Sequence, residues 1–373
     1  MNLLHMTKIR SYGNNDTTFG IMQEITCLNK TLTHLQKEET MNYFRKILWV
    51  LTCLTLALSI GPAWGETFKF DMANEYAPTS IHAENDLFFI KTLQKLSGGQ
   101  IQITHHPGAS LGYKSKDQFD AVTDGALPIA DTYVGPLRGI DPIFLLSSLP
   151  FLAKTIDDAK ALWTVSKPYY QKVLKKSNQV LLYASPWPPS GLWAKKPVRS
   201  LEDLKNLKMR TYDPNGTITF KNAGAAPIQL SWSDVVPQLG TGGIDAVLTS
   251  AEGGVSSKFW DLLSHFTEIN YSSPLNMIHM NADAFNGLPK ELQKAVLEAS
   301  DLANENAWKT AYGRVQQNYK DMKAHGMTVV TDVPSNFLEE LAKAGKPAVD
   351  EWLEKMGGEG QEILSDYRKQ IGQ

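Results

Sequence analysis

The chain has 373 residues, of which 42% are hydrophobic and 20% charged, and its net charge at neutral pH is −2. This composition is typical of a globular protein large enough to form two hydrophobic cores, and it excludes a disordered or fibrous chain. No tract of Lys and Arg indicates a nucleic-acid-binding surface.

Residues 41–65 carry the three parts of a secretory signal peptide. Arg45 and Lys46 come before an apolar run over 47–60, and an Ala-Trp-Gly triplet ends just before Glu66. A bilayer-spanning helix needs roughly 20 apolar residues, so this shorter run favours a cleaved signal over a retained anchor. The pattern predicts export to the periplasm, with cleavage before Glu66.

The residues that precede this signal are polar and have no periodic apolar face. We interpret 1–40 as an upstream extension and expect translation to start at Met41. Both cysteines, Cys27 and Cys53, come before the predicted cleavage site, so the mature chain would have neither a disulfide nor a reactive thiolate. A cysteine-free exported domain of this size suits the bacterial periplasm.

From Glu66 onward, strand and helix patterns alternate. "TFKFDMA" predicts a strand, "SIHAENDLFFIKTLQKLSGG" a helix that ends at glycines, and "IQITHHP" the next strand. A Pro- and Trp-rich stretch, "PWPPSGLWAKKP", separates this series from a second one, in which "LKMRTY" and "GIDAVLTS" are predicted strands. The alternation predicts an α/β fold in two lobes.

A long helical pattern starts at Pro289 and has enough residues to bridge both lobes. We expect lobe 1 to comprise 66–187 plus 275–314, and lobe 2 to comprise 188–274 plus 315–373. Ligands prefer the clefts between such lobes. The strand ends that face this cleft are therefore the candidate functional site.

A catalytic interpretation competes with simple ligand binding. "GASLG" matches the G-x-S-x-G motif of serine hydrolases and makes Ser110 a candidate nucleophile. A hydrolase would also need a histidine base later in the chain, and His265, His279 and His325 stand alone without a local signature. A glycine turn that leads into a helix is the more ordinary interpretation of this motif.

The sequence indicates no cofactor. Neighbouring residues of a strand point to opposite faces, so His105 and His106 would not chelate one metal ion together. No Walker or Rossmann glycine pattern occurs, and no spacing of cysteine, histidine and glutamate is that of a zinc site. We expect neither a metal ion nor an organic cofactor.

Arg210 and several aromatic residues indicate a binding site. Arg210 ends a predicted strand where loops reach the cleft, and a buried guanidinium needs an anionic partner such as a carboxylate. Trp187, Trp193, Trp232 and Tyr133 would give such a cleft flat walls suited to a planar ligand. From the pattern alone, a solvated surface arginine and ordinary core tryptophans fit equally well.

The chain resembles the solute receptors of tripartite ATP-independent periplasmic (TRAP) transporters. The shared segments run through almost all of the predicted mature chain and include "SGGQIQITHHPGASLG", "DGALPIAD", "SLEDLKNLKMRT", "WSDVVPQLGTGGIDAV" and "LPKELQKAVLEAS". This resemblance implies a periplasmic-binding-protein-like fold that closes around an organic acid. It also implies no enzymatic activity, and small and large membrane subunits as partners.

The resemblance assigns expected ligand contacts as well. It implies that Arg210 is the carboxylate ligand and that polar contacts lie near Thr249 and Tyr133. The early loop and the first helix would add groups near Asn74 and His82.

One position departs from the pattern of some relatives. Sialic acid receptors have a second arginine where this chain has Ser190, between Trp187 and Trp193. One charge fewer and two nearby indoles favour a monocarboxylate with a flat apolar body, such as an aromatic or indole-bearing acid. The receptor of an ATP-driven importer or of a sensor would share this fold and site, and stays open as an alternative.

Overall fold

The computed structural model describes residues 15–58 and 66–372. The chain divides into two compact units, Met1–Gly65 and Glu66–Gln373. The described part of the first unit is one helix, α1 (Asn15–Leu58), whose described side chains are exposed. None of the helices in the described ranges has the length and apolar character of a membrane span.

The predicted signal peptide lies partly within α1. Residues 41–58 are helical, whereas 59–65, with the predicted cleavage site, lie outside the described residues. The signal peptide, the translation start at Met41 and the upstream extension 1–40 stay predictions.

Strands and helices alternate in the second unit, as the sequence pattern predicts. The strands are β1 (Phe68–Asn74), β2 (Ile101–His106), β3 (Ile129–Tyr133), β4 (Gln179–Pro186), β5 (Ser190–Ala194), β6 (Lys208–Thr211), β7 (Ala226–Gln229), β8 (Ala246–Ser250), β9 (His265–Thr267), β10 (Leu275–Asn281) and β11 (Thr328–Val330). The helices are α2 (Ile81–Leu96), α3 (Ser115–Thr123), α4 (Ile156–Lys176), α5 (Leu201–Leu204), α6 (Pro214–Asn222), α7 (Val235–Gly240), α8 (Ala251–Ser256), α9 (Ala282–Asn286), α10 (Lys290–Ala324) and α11 (Ser335–Gln370). Short 3-10 helices occupy Gly135–Gly139, Pro142–Ser148, Trp232–Asp234 and Phe259–Asp261.

Two mixed sheets form the frames of two lobes. The first sheet has the order β2-β1-β3-β10-β4, with β1 parallel to β2 and β3, and β10 antiparallel to β3 and β4. The second sheet has the order β11-β9-β5-β8-β6-β7, with β6 parallel to β7 and β8, and β5 antiparallel to β8 and β9. We call the elements on these sheets the first lobe and the second lobe. The predicted two-lobed α/β fold is confirmed.

Two stretches of chain connect the sheets side by side. The chain passes from β4 to β5 through 187–189 and returns from β9 to β10 through 268–274. The Ser190 N–H donates to the Ser272 carbonyl at 2.8 Å, and the Tyr271 N–H donates to the Ser190 carbonyl at 2.9 Å. The Pro- and Trp-rich stretch is thus part of the hinge between the lobes.

Local sequence explains where two helices at the cleft begin. The Ser80 side chain accepts a hydrogen bond from the Ala83 N–H at the start of α2, and Asp213 accepts one from the Gly216 N–H at the start of α6. Both caps satisfy N–H groups that have no partner within the helix. Pro214 suits the first turn of α6 because it has no N–H to leave unpaired.

The two long helices contact both lobes. Helix α10 packs on α2 and β4 of the first lobe and on α8 and β11 of the second, so the predicted bridging helix is present. Helix α11 is interrupted at Gly357; Phe337 belongs to the second-lobe core, and Trp352 and Tyr367 belong to the first-lobe core. The predicted lobe limits stay a prediction, and this packing argues against assigning all of 315–373 to the second lobe.

Candidate ligand-binding cavity

A small cavity lies where strand ends of the two sheets meet, and the empty space in and around it, including open solvent, is about 310 Å³. Both lobes and the hinge contribute to its wall, which consists of Tyr76, Tyr133, Trp187, Ser190, Arg210, Tyr212, Trp232, Thr249, Ser250 and Pro274. A molecule held in this cavity would contact both lobes at once.

Arg210 carries the charge of this wall and is only 4% exposed. It lies near the end of β6, between β7 and β8, and two backbone carbonyls reach it, one just after β7 and one within β8. Its Nε donates to the Leu230 carbonyl at 3.0 Å and its Nη1 donates to the Leu248 carbonyl at 3.3 Å. Its guanidinium carbon lies 5.4 Å from the ring centroid of Trp232 and 5.7 Å from that of Tyr212. The guanidinium is therefore fixed by backbone and by aromatic faces.

No described carboxylate forms a salt bridge with Arg210. The ion pairs of arginine in the described ranges involve Arg199 and Arg314 instead. Burial lowers the pKa of Arg210, but an arginine side chain keeps its proton in proteins. Burying a cation without an anionic partner is costly, so this arrangement suits an anion bound in the cavity.

Three aromatic rings form flat walls beside the guanidinium. The ring centroid of Tyr76 lies 4.7 Å from that of Trp187 and 5.8 Å from that of Trp232, and the two indoles are 6.4 Å apart. Such rings offer large apolar faces with a polar edge. The walls therefore suit a compact, flat molecule.

Hydroxyl groups complete the lining. The Tyr133 hydroxyl donates to Asp213 Oδ2 at 2.8 Å, which joins β3 of the first lobe to the start of α6 in the second. The Tyr212 hydroxyl lies 3.3 Å from the Ser190 hydroxyl, and Thr249 adds a further hydroxyl group from β8. Burial raises the pKa of Tyr133 and of Tyr212, so both phenols are neutral at physiological pH.

A larger space, about 680 Å³, continues on the other side of Arg210. Glu75 is buried in its wall and accepts four hydrogen bonds. Its Oε2 accepts from the N–H and the hydroxyl of Ser115 at 2.9 and 2.8 Å, and its Oε1 accepts from the N–H and the hydroxyl of Ser233 at 3.1 and 3.2 Å. Ser115 belongs to the first lobe and Ser233 to the second, so Glu75 connects the lobes.

A salt bridge spans the lobes beside Glu75. Lys114 Nζ lies 2.8 Å from both carboxylate oxygens of Asp234. The two side chains are 32% and 43% exposed, respectively. This pair is therefore in contact with solvent, unlike Glu75.

Six of the nine residues predicted for the site line the cavity: Tyr133, Trp187, Ser190, Arg210, Trp232 and Thr249. Asn74 and His82 lie behind this wall. Asn74 Oδ1 accepts a hydrogen bond from the Tyr76 N–H at 2.7 Å, and the His82 ring centroid is 4.0 Å from that of Trp187. Trp193 does not line the cavity, because its ring packs against two phenylalanine rings in the second-lobe core.

His82 supports the wall as a neutral ring. It is fully buried, and neither of its ring nitrogens has a hydrogen-bond partner among the described residues. Burial, together with the positive charge of Arg314, lowers the pKa of His82 to about 3. The ring is therefore uncharged at neutral pH and packs on Trp187.

Glu75 and two tyrosines of the wall were not predicted from the sequence. Tyr212 follows Arg210 by two residues, and Tyr76 follows Asn74 by two residues. Residues two apart on an extended chain point to the same side, so the spacing from Arg210 could have indicated Tyr212. Asn74 lies behind the wall, so the same rule does not indicate Tyr76. No comparable pattern marks Glu75, because its partners come from distant parts of the chain.

The proposed hydrolase residues do not come together. Ser110 is exposed and forms no described hydrogen bond with a histidine. His279 is buried, and its two ring nitrogens contact Thr132 and Gln179. Burial lowers the pKa of His279 to about 3, which is unsuited to a general base near neutral pH.

The adjacent histidines of β2 bind separate carboxylates. His105 Nε2 lies 3.0 Å from Asp86, and His106 Nε2 lies 2.7 Å from Asp71. Within the described ranges, no group of three His, Cys, Asp or Glu residues could hold a metal ion.

A family model matches most of this unit. The model of the bacterial extracellular solute-binding proteins, family 7 (DctP), matches residues 72–355. Among curated proteins, the C4-dicarboxylate-binding periplasmic protein DctP of Rhodobacter capsulatus is 27% identical over 333 residues, which cover 84% of this chain and 96% of that protein. Proteins of this kind are receptors and not enzymes.

Solved structures of two pyroglutamate receptors resemble this fold. A marine metagenome TRAP solute-binding protein specific for pyroglutamate is 30% identical to this chain, with a TM-score of 0.78. The match covers 82% of this chain and 100% of that one. DctP7 of Bordetella pertussis, an extracytoplasmic solute receptor that binds pyroglutamic acid, is 31% identical, with a TM-score of 0.78 over 81% of this chain and 100% of that one.

Proposed function

The chain belongs to the family 7 of bacterial extracellular solute-binding proteins, the receptors of TRAP transporters, and we propose that it binds a compact cyclic monocarboxylate at Arg210. The observation that carries this proposal is the buried guanidinium without a carboxylate partner among the described residues. Its Nε and Nη1 each donate to a backbone carbonyl. The charge of Glu75 acts on Arg210 without forming a salt bridge, and a ligand carboxylate would supply a directly hydrogen-bonded anionic partner. The receptor then delivers its ligand to the membrane subunits of the transporter.

The shape of the cavity supports a small planar ring next to that carboxylate. The rings of Tyr76, Trp187 and Trp232 bound this small cavity beside Arg210. The hydroxyls of Ser190 and Thr249 lie in the same lining and would pair with polar ring atoms. Pyroglutamate, a five-membered lactam with one carboxylate, matches this combination and is the ligand of two similar receptors.

An aromatic or indole-bearing acid is the second candidate. The two tryptophans and Tyr76 favour it, because they could stack on a larger aromatic ring. Such a ring would extend beyond the space at Arg210 into the adjoining 680 Å³. The Arg210 contact would be the same for both acids.

Closure of the two lobes completes the binding mechanism that we propose. Glu75 and Tyr133 of the first lobe bond Ser233 and Asp213 of the second, so the lobes are in contact around the cavity. A ligand held by Arg210 on the second lobe and by the aromatic wall of the first would favour this closed arrangement.

A binding screen of the purified chain from Glu66 tests the proposed function. Pyroglutamate is compared with 2-pyrrolidinone, which has the same lactam ring without a carboxylate, and indole-3-acetate is compared with indole. Ligand at 100-fold over its Kd should stabilise the native state by about 2.7 kcal/mol in a thermal-shift assay. We expect stabilisation by pyroglutamate and none by 2-pyrrolidinone. Binding of indole-3-acetate alone would select the second candidate, and binding of only dicarboxylates or sugar acids would overturn both.

The cellular context of this receptor is part of the proposal. We propose that 41–65 directs export to the periplasm, and an N-terminus near Glu66 in the secreted protein, measured by mass spectrometry, would support this. Neighbouring genes for a small and a large membrane subunit would support a TRAP partner. Genes for an ATP-binding subunit in their place would favour the alternative of an ATP-driven importer.

A further inference from the structure

Two asparagines support the aromatic wall from behind. The Trp187 Nε1–H donates to Asn276 Oδ1 at 2.8 Å, and the Tyr76 backbone N–H donates to Asn74 Oδ1 at 2.7 Å. Both asparagines are fully buried. Each wall residue is thus held by the carbonyl oxygen of an asparagine side chain.

The carboxyl group of Asp131 contacts the other end of both amides, and Asp86 Oδ2 also accepts from Asn74 Nδ2 at 2.6 Å. Asn276 Nδ2 donates to Asp131 Oδ1 at 2.7 Å, and Asn74 Nδ2 donates to Asp131 Oδ2 at 3.0 Å. An asparagine amide has a donor end and an acceptor end, and rotation by half a turn exchanges them. If either amide turned round, its NH2 group would face the N–H of the wall residue, and two donors would meet.

We propose that Asp131 is a positioning residue for ligand binding: by accepting a hydrogen bond from Asn276, it fixes this amide so that its carbonyl oxygen holds Trp187. Together with Asp86, it orients the Asn74 amide that holds Tyr76 in the same way. This inference rests on the proposed function, because it concerns the wall of the same cavity. Asp131 itself is fully buried and does not line the cavity. It acts on the ligand only through Asn276 and Asn74.

The surroundings of Asp131 show which of its bonds a substitution would keep. Asp86, also fully buried, lies within hydrogen-bonding reach, and burial together with the negative charge of Asp86 raises the pKa of Asp131 well above its usual value. A neutral Asp131 can donate its proton to Asp86 and still accept at both oxygens. In Asp131→Asn, the amide NH2 can replace that donor while the remaining oxygen still accepts from Asn276.

Two substitutions of different severity follow from this geometry. Asp131→Asn keeps the acceptor that orients Asn276 and loses only the one that faces Asn74. Asp131→Leu, of similar size, removes both acceptor oxygens and frees the Asn276 amide to turn, whereas Asp86 still accepts from Asn74. Thr132→Val is the matched control, because Thr132 is the next residue of β3 and its hydroxyl contacts Gln118 and His279 on the opposite face of the sheet.

The indole N–H resonance of Trp187 reports the orientation of the Asn276 amide in the ligand-free protein. This resonance is identified by its loss in Trp187→Phe. In a 1H–15N NMR spectrum it should shift in Asp131→Leu and stay in place in Asp131→Asn and Thr132→Val. Pyroglutamate binding, measured by calorimetry, should weaken at least about tenfold in Asp131→Leu and by less than about threefold in the other two.

A second variant and the possible outcomes test the role of Asp131. If Asp131→Leu does not fold, Asn276→Leu serves instead, because it removes the amide that connects Asp131 to Trp187. It should produce the same shift of the indole resonance and the same loss of affinity. An unmoved indole resonance with unchanged affinity in a folded Asp131→Leu or Asn276→Leu protein would overturn the role of Asp131. Failure of the wild-type protein to bind any of the tested acids would instead refute the proposed function, and the resonance of the ligand-free protein would still test the positioning.

Discussion

The two sides of the cavity hold their ligand-facing residues by different means. On the second lobe, Arg210 is fixed by the backbone carbonyls of Leu230 and Leu248. On the first lobe, side chains hold Tyr76 and Trp187. A carbonyl is present whatever residue occupies a position, whereas a side-chain partner disappears with one substitution. The side proposed to bind the carboxylate should therefore tolerate sequence change in its supporting residues, and the side proposed to select the shape of the ligand should not.

Removal of the guanidinium should produce the largest effect. Arg210→Ala takes away the charged partner of a desolvated ion pair, which typically costs about 2–5 kcal/mol, so ligand affinity should fall roughly 30-fold to several thousand-fold. Calorimetric titration with pyroglutamate measures this loss. Arg199→Ala is the control, because Arg199 is exposed and pairs with Asp332 at the surface. Normal binding by Arg210→Ala would remove Arg210 from the site.

Replacement of His82 should change the pH dependence of stability. Because burial lowers the pKa of His82 from 6.5 to about 3, protons bind preferentially to the unfolded chain between these values. This destabilisation is absent above pH 6.5 and grows as the pH falls toward 3. At pH 5 it amounts to about 2 kcal/mol for one such histidine.

The variant His82→Phe keeps a ring against Trp187 and cannot be protonated. Its free energy of unfolding, measured with urea, should exceed that of the wild type by about 2 kcal/mol more at pH 5 than at pH 7.5. His279 has a similarly lowered pKa but is present in both proteins, so its contribution cancels. A difference that does not vary with pH would mean that His82 is not kept neutral by the fold.

Loss of the Glu75 charge should accelerate ligand release. Glu75→Gln replaces one acceptor oxygen by an NH2 group that would face the donors of Ser115 or Ser233. Because the Ser233 bonds connect the lobes, we expect about tenfold weaker binding, mainly through a faster dissociation rate. Stopped-flow tryptophan fluorescence measures both rates. If the association rate falls and dissociation is unchanged, Glu75 does not hold the closed state.

The same contrast explains how much of this molecule the sequence could predict. The alternating strand and helix patterns are local, so the two lobes and the bridging helix were predictable. Arg210 was predictable from its strand and from the family resemblance. Trp193 is three residues from Ser190 on β5 and therefore faces the opposite side of the sheet, which the two-residue period of a strand could have indicated.

Residues that act through distant parts of the chain were not predictable. Asp131 is the acidic residue of β3, and its role depends on β1 and β10 lying on either side of that strand. Glu75 likewise depends on the approach of the two lobes. A single sequence does not contain these pairings, so both roles required the structure.

The surface pair beside Glu75 should produce the smallest effect. Lys114 and Asp234 connect the lobes as Glu75 does, but their side chains are 32% and 43% exposed to solvent, respectively. Exposed ion pairs contribute about 0–1 kcal/mol, so Lys114→Met should weaken pyroglutamate binding by less than about fivefold. Salt screens exposed charges, and the difference between variant and wild type should therefore shrink as sodium chloride is raised from 0.05 to about 0.5 M. The Glu75→Gln effect should change much less over the same range, because Glu75 is buried. An effect of Lys114→Met that equals that of Glu75→Gln and is insensitive to salt would mean that charge at the rim, and not the buried hydrogen bonds, holds the lobes together.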